Sequence, residues 1–186
     1  METTTKKITY KEFRQMEFDE NDRFFYELLN GELVKKSAPS ALHQRISRRL
    51  SFKIESWIQE KDLGELFYSP IDVFLDDYNA PQPDLIFIKK QRLEIVHLDN
   101  GIVGVPDLIV EIISPSSIKR DRFDKMNIYQ KFKASEYWIV DPANSSIEIY
   151  TLQNDELEIT DFAAEKGIVQ SPALGGLEIE MMNIFE

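Results

Sequence analysis

The chain has 186 residues, 42% hydrophobic and 11% aromatic, which suits one globular domain with a real core and argues against a disordered chain. With no cysteine and only two histidines, His43 and His97, disulfides and thiolate metal sites are excluded and a zinc centre is disfavoured. The net charge of −11 argues against a general nucleic-acid binder, and any bound metal would be a hard cation held by oxygen.

Near the N-terminus, FFYELLNGELVKKS predicts two short strands around Asn30-Gly31, a strong hairpin signal. Residues 38–64 predict a long helix, with Ser40 as N-cap and Gly64 past the end. Its apolar residues Leu42, Ile46, Leu50, Ile54, Trp57 and Ile58 recur at helical spacing. Strand-like runs ELFYSPIDVFL and PDLIFIKK follow, then a connector with Gly101 and Gly104, then PDLIVEII. A second helix is expected over roughly 117–133 and a strand in EYWIVD. The run SSIEIYTLQNDELEITDF predicts another hairpin, turning at Asn154-Asp155. Middle strands that are apolar on both faces belong inside a mixed α/β sheet covered on both sides. No apolar run approaches the ~18 residues of a membrane span. The N-terminus has no apolar signal core, and the expectation is a soluble, cytoplasmic protein.

Glu111 sits within Leu108-Ile109-Val110-Glu111-Ile112-Ile113, where every neighbour favours burial. A lone buried carboxylate costs several kcal/mol or takes up a proton, so a cation is expected beside it. The following helix offers one. Ile118, Arg122, Lys125, Tyr129 and Phe132 fall at spacings that define a single stripe, which predicts Lys125 facing the sheet. Asp121 and Lys125 could instead form an ordinary surface pair. Asp84 opens the strand after Pro83 and, taken alone, reads as a turn residue. Together, two carboxylates on neighbouring strands and an inward lysine can hold Mg²⁺ and a water beside a phosphate. Asp107 lies four residues from Glu111, roughly 13 Å along a strand, too far to share one ion, so it is assigned to the strand start. Basic residues concentrate at 43–49 and 119–125, a local counterweight to the acidic total.

Asp84, the mid-strand Glu in PDLIVEIISPSS, the Asp121/Lys125/Tyr129 helix and EYWIVDP resemble the Uma-two family of endonucleases, part of the PD-(D/E)XK restriction-endonuclease-like superfamily. YELLNGELV and LGGLEIEMMNIF extend the resemblance over roughly residues 10–186. It implies a single domain over 1–186, with 1–9 a flexible N-terminus, and a core of helix, mixed β-sheet, helix and strand with extra hairpins at both ends. It implies Asp84 and Glu111 as ligands of Mg or Mn, the Ile112 carbonyl as a third, and Lys125 at the attacking water and the phosphate. In the superfamily pattern the lysine lies two residues after the Glu, where this chain has Ile113, so Lys125 on the helix stands in for it. Family members carry Gly-Val before Glu-Tyr-Trp where this chain has Ala134-Ser135. Glu32 is either an outer acid of the site or hairpin surface, and His43 is more readily a structural histidine than a catalytic one.

The expected function is a divalent-metal-dependent endonuclease acting on DNA, with a homodimer as the implied assembly. The alternative is a non-catalytic binding or dimerisation module in which Glu111 and Lys125 form a buried ion pair. A hydrolase of a small phosphorylated substrate would suit the acidic surface, but no Gly-rich phosphate loop supports it.

Overall fold

The computed structural model describes residues 6–18 and 24–186; residues 1–5 of the expected flexible N-terminus lie outside them. A short helix α1, Tyr10–Phe13, opens with a capping box in which Thr9 and Glu12 exchange hydrogen bonds. Strands β1 (Phe25–Leu29) and β2 (Glu32–Lys36) form the expected hairpin. Its turn needs positive φ at both central residues, and Asn30 (54°) and Gly31 (81°) supply it. Helix α2 spans Ala41–Lys61; the Ser40 hydroxyl accepts the His43 N–H at its start, and Asp62, left-handed, ends it. Ile46, Leu50, Ile54 and Ile58 are buried as the periodicity predicts, but Leu42, on the first turn, is exposed.

The run read as one strand over 65–75 is broken. β3 (Gly64–Tyr68) and β4 (Val73–Phe74) lie on either side of Ser69–Pro70, because proline has no N–H to continue the ladder. After β5 (Leu85–Lys89), the connector is a 3₁₀ turn, Lys90–Ile95, then β6 (Val96–His97) and β7 (Gly101–Val103). The last two join β4 in a small sheet of order β4-β7-β6. β8 (Leu108–Ile112) leads through the second helix to β9 (Glu136–Asp141). β10 (Ser146–Gln153) and β11 (Glu156–Ala164) turn at Asn154 and Asp155, both with positive φ. β12 (Ile168–Ser171), β13 (Leu177–Glu180) and the short helix α4 (Met181–Phe185) close the chain.

The main sheet is six-stranded and mixed, in the order β11-β10-β9-β8-β5-β3, with β8 and β9 parallel and the other neighbours antiparallel. A parallel pair needs a crossover, and the helix between β8 and β9 provides it. On one face Ile46, Leu50, Ile54 and Ile58 of α2 pack with Leu108, Val110 and Ile112 of β8 and Trp138 of β9. On the other, Ile109, Ile113, Tyr137 and Ile139 pack with Ile128 and Tyr129. The alternation of β8 therefore turns Glu111 toward the crossover helix and away from α2.

That helix departs from the expected stripe. Arg120–Lys125 is a π-helical segment running into α3 (Met126–Lys131). The inward row falls at i+4 spacing from Ser117 to Tyr129, off the expected stripe at 118 and 122. Ser117, Asp121, Lys125 and Tyr129 are buried, whereas Ile118 is exposed and Arg122 is half-buried, pairing with Glu148 at 2.7 and 2.8 Å. Truncating Ile54, fully buried between α2 and the sheet, is expected to cost about 2–5 kcal/mol in urea unfolding of Ile54→Ala, with an unchanged m-value.

Candidate functional site

The site forms where the ends of β5 and β8 meet the N-terminal turns of both long helices. Leu85 pairs with Val110 in the antiparallel register, so the preceding residue, Asp84, abuts Glu111 and Ile112. The Ile112 N–H donates to Asp84 Oδ2 at 2.8 Å, fixing the carboxylate at the sheet edge. His43, one turn into α2, places Nε2 at 3.1 Å from the same oxygen. These donors hold the Asp84 carboxyl below its usual range despite burial that pushes the other way. Burial drives the His43 imidazole down, but Asp84 overrides it and leaves the ring above its ordinary value.

Glu111 is 2% exposed and has the cation its burial demands. Lys125 Nζ donates to its Oε1 at 2.7 Å, and the Tyr129 hydroxyl donates to the same atom at 2.9 Å. Among the described residues no hydrogen bond reaches Glu111 Oε2. Lys125 is 0% exposed and also lies 3.0 Å from Glu27 Oε2 and 3.9 Å from Asp121 Oδ1. One ammonium thus faces three carboxylates. Burial pushes the Glu111 carboxyl up to about 8, against the pull of Lys125 and helped by Asp121 and Asp84. Burial opposes charge on Lys125 too, but Glu111 and Glu27 outweigh it and keep the ammonium protonated.

A cleft of about 680 Å³ opens onto this cluster. Asp84, Glu111 and Ile112 line its floor; Lys35, Lys36, Arg48 and Arg120 are the lysines and arginines on its walls. Lys125 is not among the lining residues. It stands behind Glu111, held by carboxylates. Of the two supporting candidates, His43 joins the site and Glu32, exposed at the start of β2, remains hairpin surface. The acid that the hairpin contributes is Glu27, on β1, which is 0% exposed. It accepts the Gln82 N–H at 3.0 Å and lies 3.9 Å from Lys36 and 3.4 Å from Arg120. Its signal was present in the sequence: a carboxylate among apolar neighbours in FFYELL, as Glu111 is in LIVEII. Asp107, assigned to the strand start, pairs with Arg92 at 2.9 Å and accepts the Lys89 N–H, away from the cleft.

Among the described residues no group of three or more His, Asp and Glu side chains is gathered as a metal cage. Mg²⁺ does not need one: it binds through one or two carboxylates and keeps several waters. Asp84 and Glu111, which line the cleft with Ile112, each keep one carboxylate oxygen without a hydrogen-bond partner among the described residues. The donor set is hard oxygen and fits such an ion.

A mixed sheet with helices on both faces and acids at the ends of two adjacent central strands defines the restriction-endonuclease-like fold. The model of the family described as "Uma2: Putative restriction endonuclease" matches residues 10–182, and the chain belongs to that family. A crystal structure of "a putative nuclease belonging to DUF820" from Anabaena variabilis ATCC 29413 superposes with a TM-score of 0.76. The two are 21% identical, over 96% of this chain and 97% of that one, a likeness of fold. No curated protein matches the chain. No helix among the described residues is long and apolar enough to cross a membrane.

Replacing Lys125 with methionine removes the ammonium from between Glu27 and Glu111 and leaves two buried acids facing each other. Lys125→Met is expected to lose about 3–5 kcal/mol of unfolding free energy. Adding Glu111→Gln should recover part of that loss in chemical denaturation, because the second variant removes one of the stranded charges.

Proposed function

We propose that the protein is a divalent-metal-dependent endonuclease that hydrolyses DNA phosphodiester bonds. The observation that carries this reading is the pairing of Asp84 and Glu111 at the floor of a cleft walled by lysines and arginines. Asp84, Glu111 and the Ile112 carbonyl would hold a Mg²⁺ or Mn²⁺ ion, which would lower the pKa of a bound water and polarise a phosphate oxygen. The chain's own residues do the rest. His43 and the Ile112 N–H hold Asp84 Oδ2, which leaves Oδ1 for the ligand position. Lys125 and Tyr129 hold Glu111 Oε1 and so aim Oε2 at the cleft. In this reading Lys125 is a positioning residue, and charge developing on the phosphate is met by cations that line the cleft, Lys36 and Arg120 foremost. Lys36 donates to the Gln82 carbonyl at 2.8 Å and lies 3.9 Å from Glu27, and Arg120 lies 3.4 Å from Glu27. The acidic total makes a homodimer, or another source of basic surface, a fitting context for duplex substrates.

Nicking of supercoiled plasmid in Mg²⁺ or Mn²⁺, followed on agarose gels, tests the reading. The expected outcome is metal-dependent conversion to open circles, reduced ~10²-fold or more in Glu111→Gln and in Asp84→Asn. Absence of nicking in the wild type, together with no heat of Mn²⁺ binding by calorimetry, would leave a binding module as the better account.

A further inference from the structure

The cleft carries two features that hydrolysis does not require. Phe25 and Tyr68 line it with large fractions of their rings open, at 43% and 49% exposure. Phe25 shares a face of β1 with Glu27, two residues nearer the mouth. Burial and the Glu55 carboxylate of α2 both raise the pKa of the Tyr68 hydroxyl. The trough does not stop at these rings. Phe25 and Pro70 also line a second groove of about 380 Å³, whose charged walls are Arg14, Asp72 and Asp99, with Gln82 and Asn100 between.

The charges of the main cleft are close to balanced. Lys35, Lys36, Arg48 and Arg120 stand against Asp84, Glu111 and Asp121, on a chain of net charge −11. Phosphate attraction alone, which dominates duplex binding, is therefore weak here. The cleft, about 680 Å³, sets two exposed aromatic rings beside its cations, a combination suited to unpaired bases. A single strand has lower charge density and offers unpaired bases, whose stacking on aromatic rings supplies affinity that charge does not.

We propose that the preferred substrate is single-stranded DNA, threaded through the cleft with bases stacked on Phe25 and Tyr68 and continuing over Phe25 into the second groove. This rests on the nuclease reading above and specifies its substrate. Fluorescence anisotropy of a labelled oligothymidylate and of a labelled hairpin duplex, with Ca²⁺ in place of Mg²⁺, tests it. The single strand should bind roughly tenfold or more tightly than the duplex. Phe25→Ala and Tyr68→Ala should each weaken oligothymidylate binding by about 5- to 150-fold, the worth of one stacked base. Phe25→Trp should retain it, and thermal unfolding of all three should show them folded. Duplex binding as tight as single-strand binding, or both alanine variants binding as the wild type does, overturns the proposal. If metal-dependent plasmid nicking persists in that case, the nuclease reading stands without it; if the wild type neither nicks nor binds either DNA, both fall.

Discussion

A single buried ammonium organises the molecule around the site. Lys125 lies within 4 Å of Glu111, Glu27 and Asp121, which belong to a central strand, the N-terminal hairpin and its own helix. Three separate parts of the chain are thus tied at one charged atom. No apolar contact could specify that meeting so narrowly, because hydrophobic packing tolerates repacking whereas an unpaired buried charge is not tolerated. Removing any partner changes the charge state of the others, so the hairpin, the sheet and the crossover helix are electrostatically one unit. The site borrows its geometry from this unit: Lys125 and Tyr129 both hold Glu111 at Oε1.

Much of the fold follows from local pattern. The Asn30-Gly31 turn, the α2 stripe and the doubly apolar β8 and β9 are all carried by spacings within one element. The burial of Glu111 and its pairing with Lys125 were legible for a related reason, since a charge inside an apolar strand demands a counter-charge. Three features depart from the expectation. The inward row is Ser117, Asp121, Lys125 and Tyr129, at i+4 spacing, so Ile118 and Arg122 of the expected stripe lie off it. The hairpin's buried acid is Glu27 and not Glu32, and its apolar neighbours in FFYELL carry the same signal as those of Glu111. Pro70 divides a run that alternation alone would have kept whole.

The site was legible as chemistry and less so as geometry. Asp84 and Glu111 belong to neighbouring strands by sequence, but only the register Leu85 with Val110 brings them together. The division of labour between cations also needed three dimensions. Lys36 and Arg120 line the cleft and Lys125, fully buried, does not, a difference of burial rather than of residue type.

The position of Glu111 has a consequence before the fold exists. Leu108 to Ile113 would otherwise be six consecutive β-prone apolar residues, the kind of segment that pairs with copies of itself. In the unfolded chain Glu111 is solvated, with an ordinary carboxylate pKa, and interrupts that segment with a full negative charge. The parallel pairing of β8 with β9 waits on the crossover helix, and Lys125 travels on that same helix. The charge that guards the nascent strand against aggregation is therefore neutralised by the element whose arrival completes the sheet.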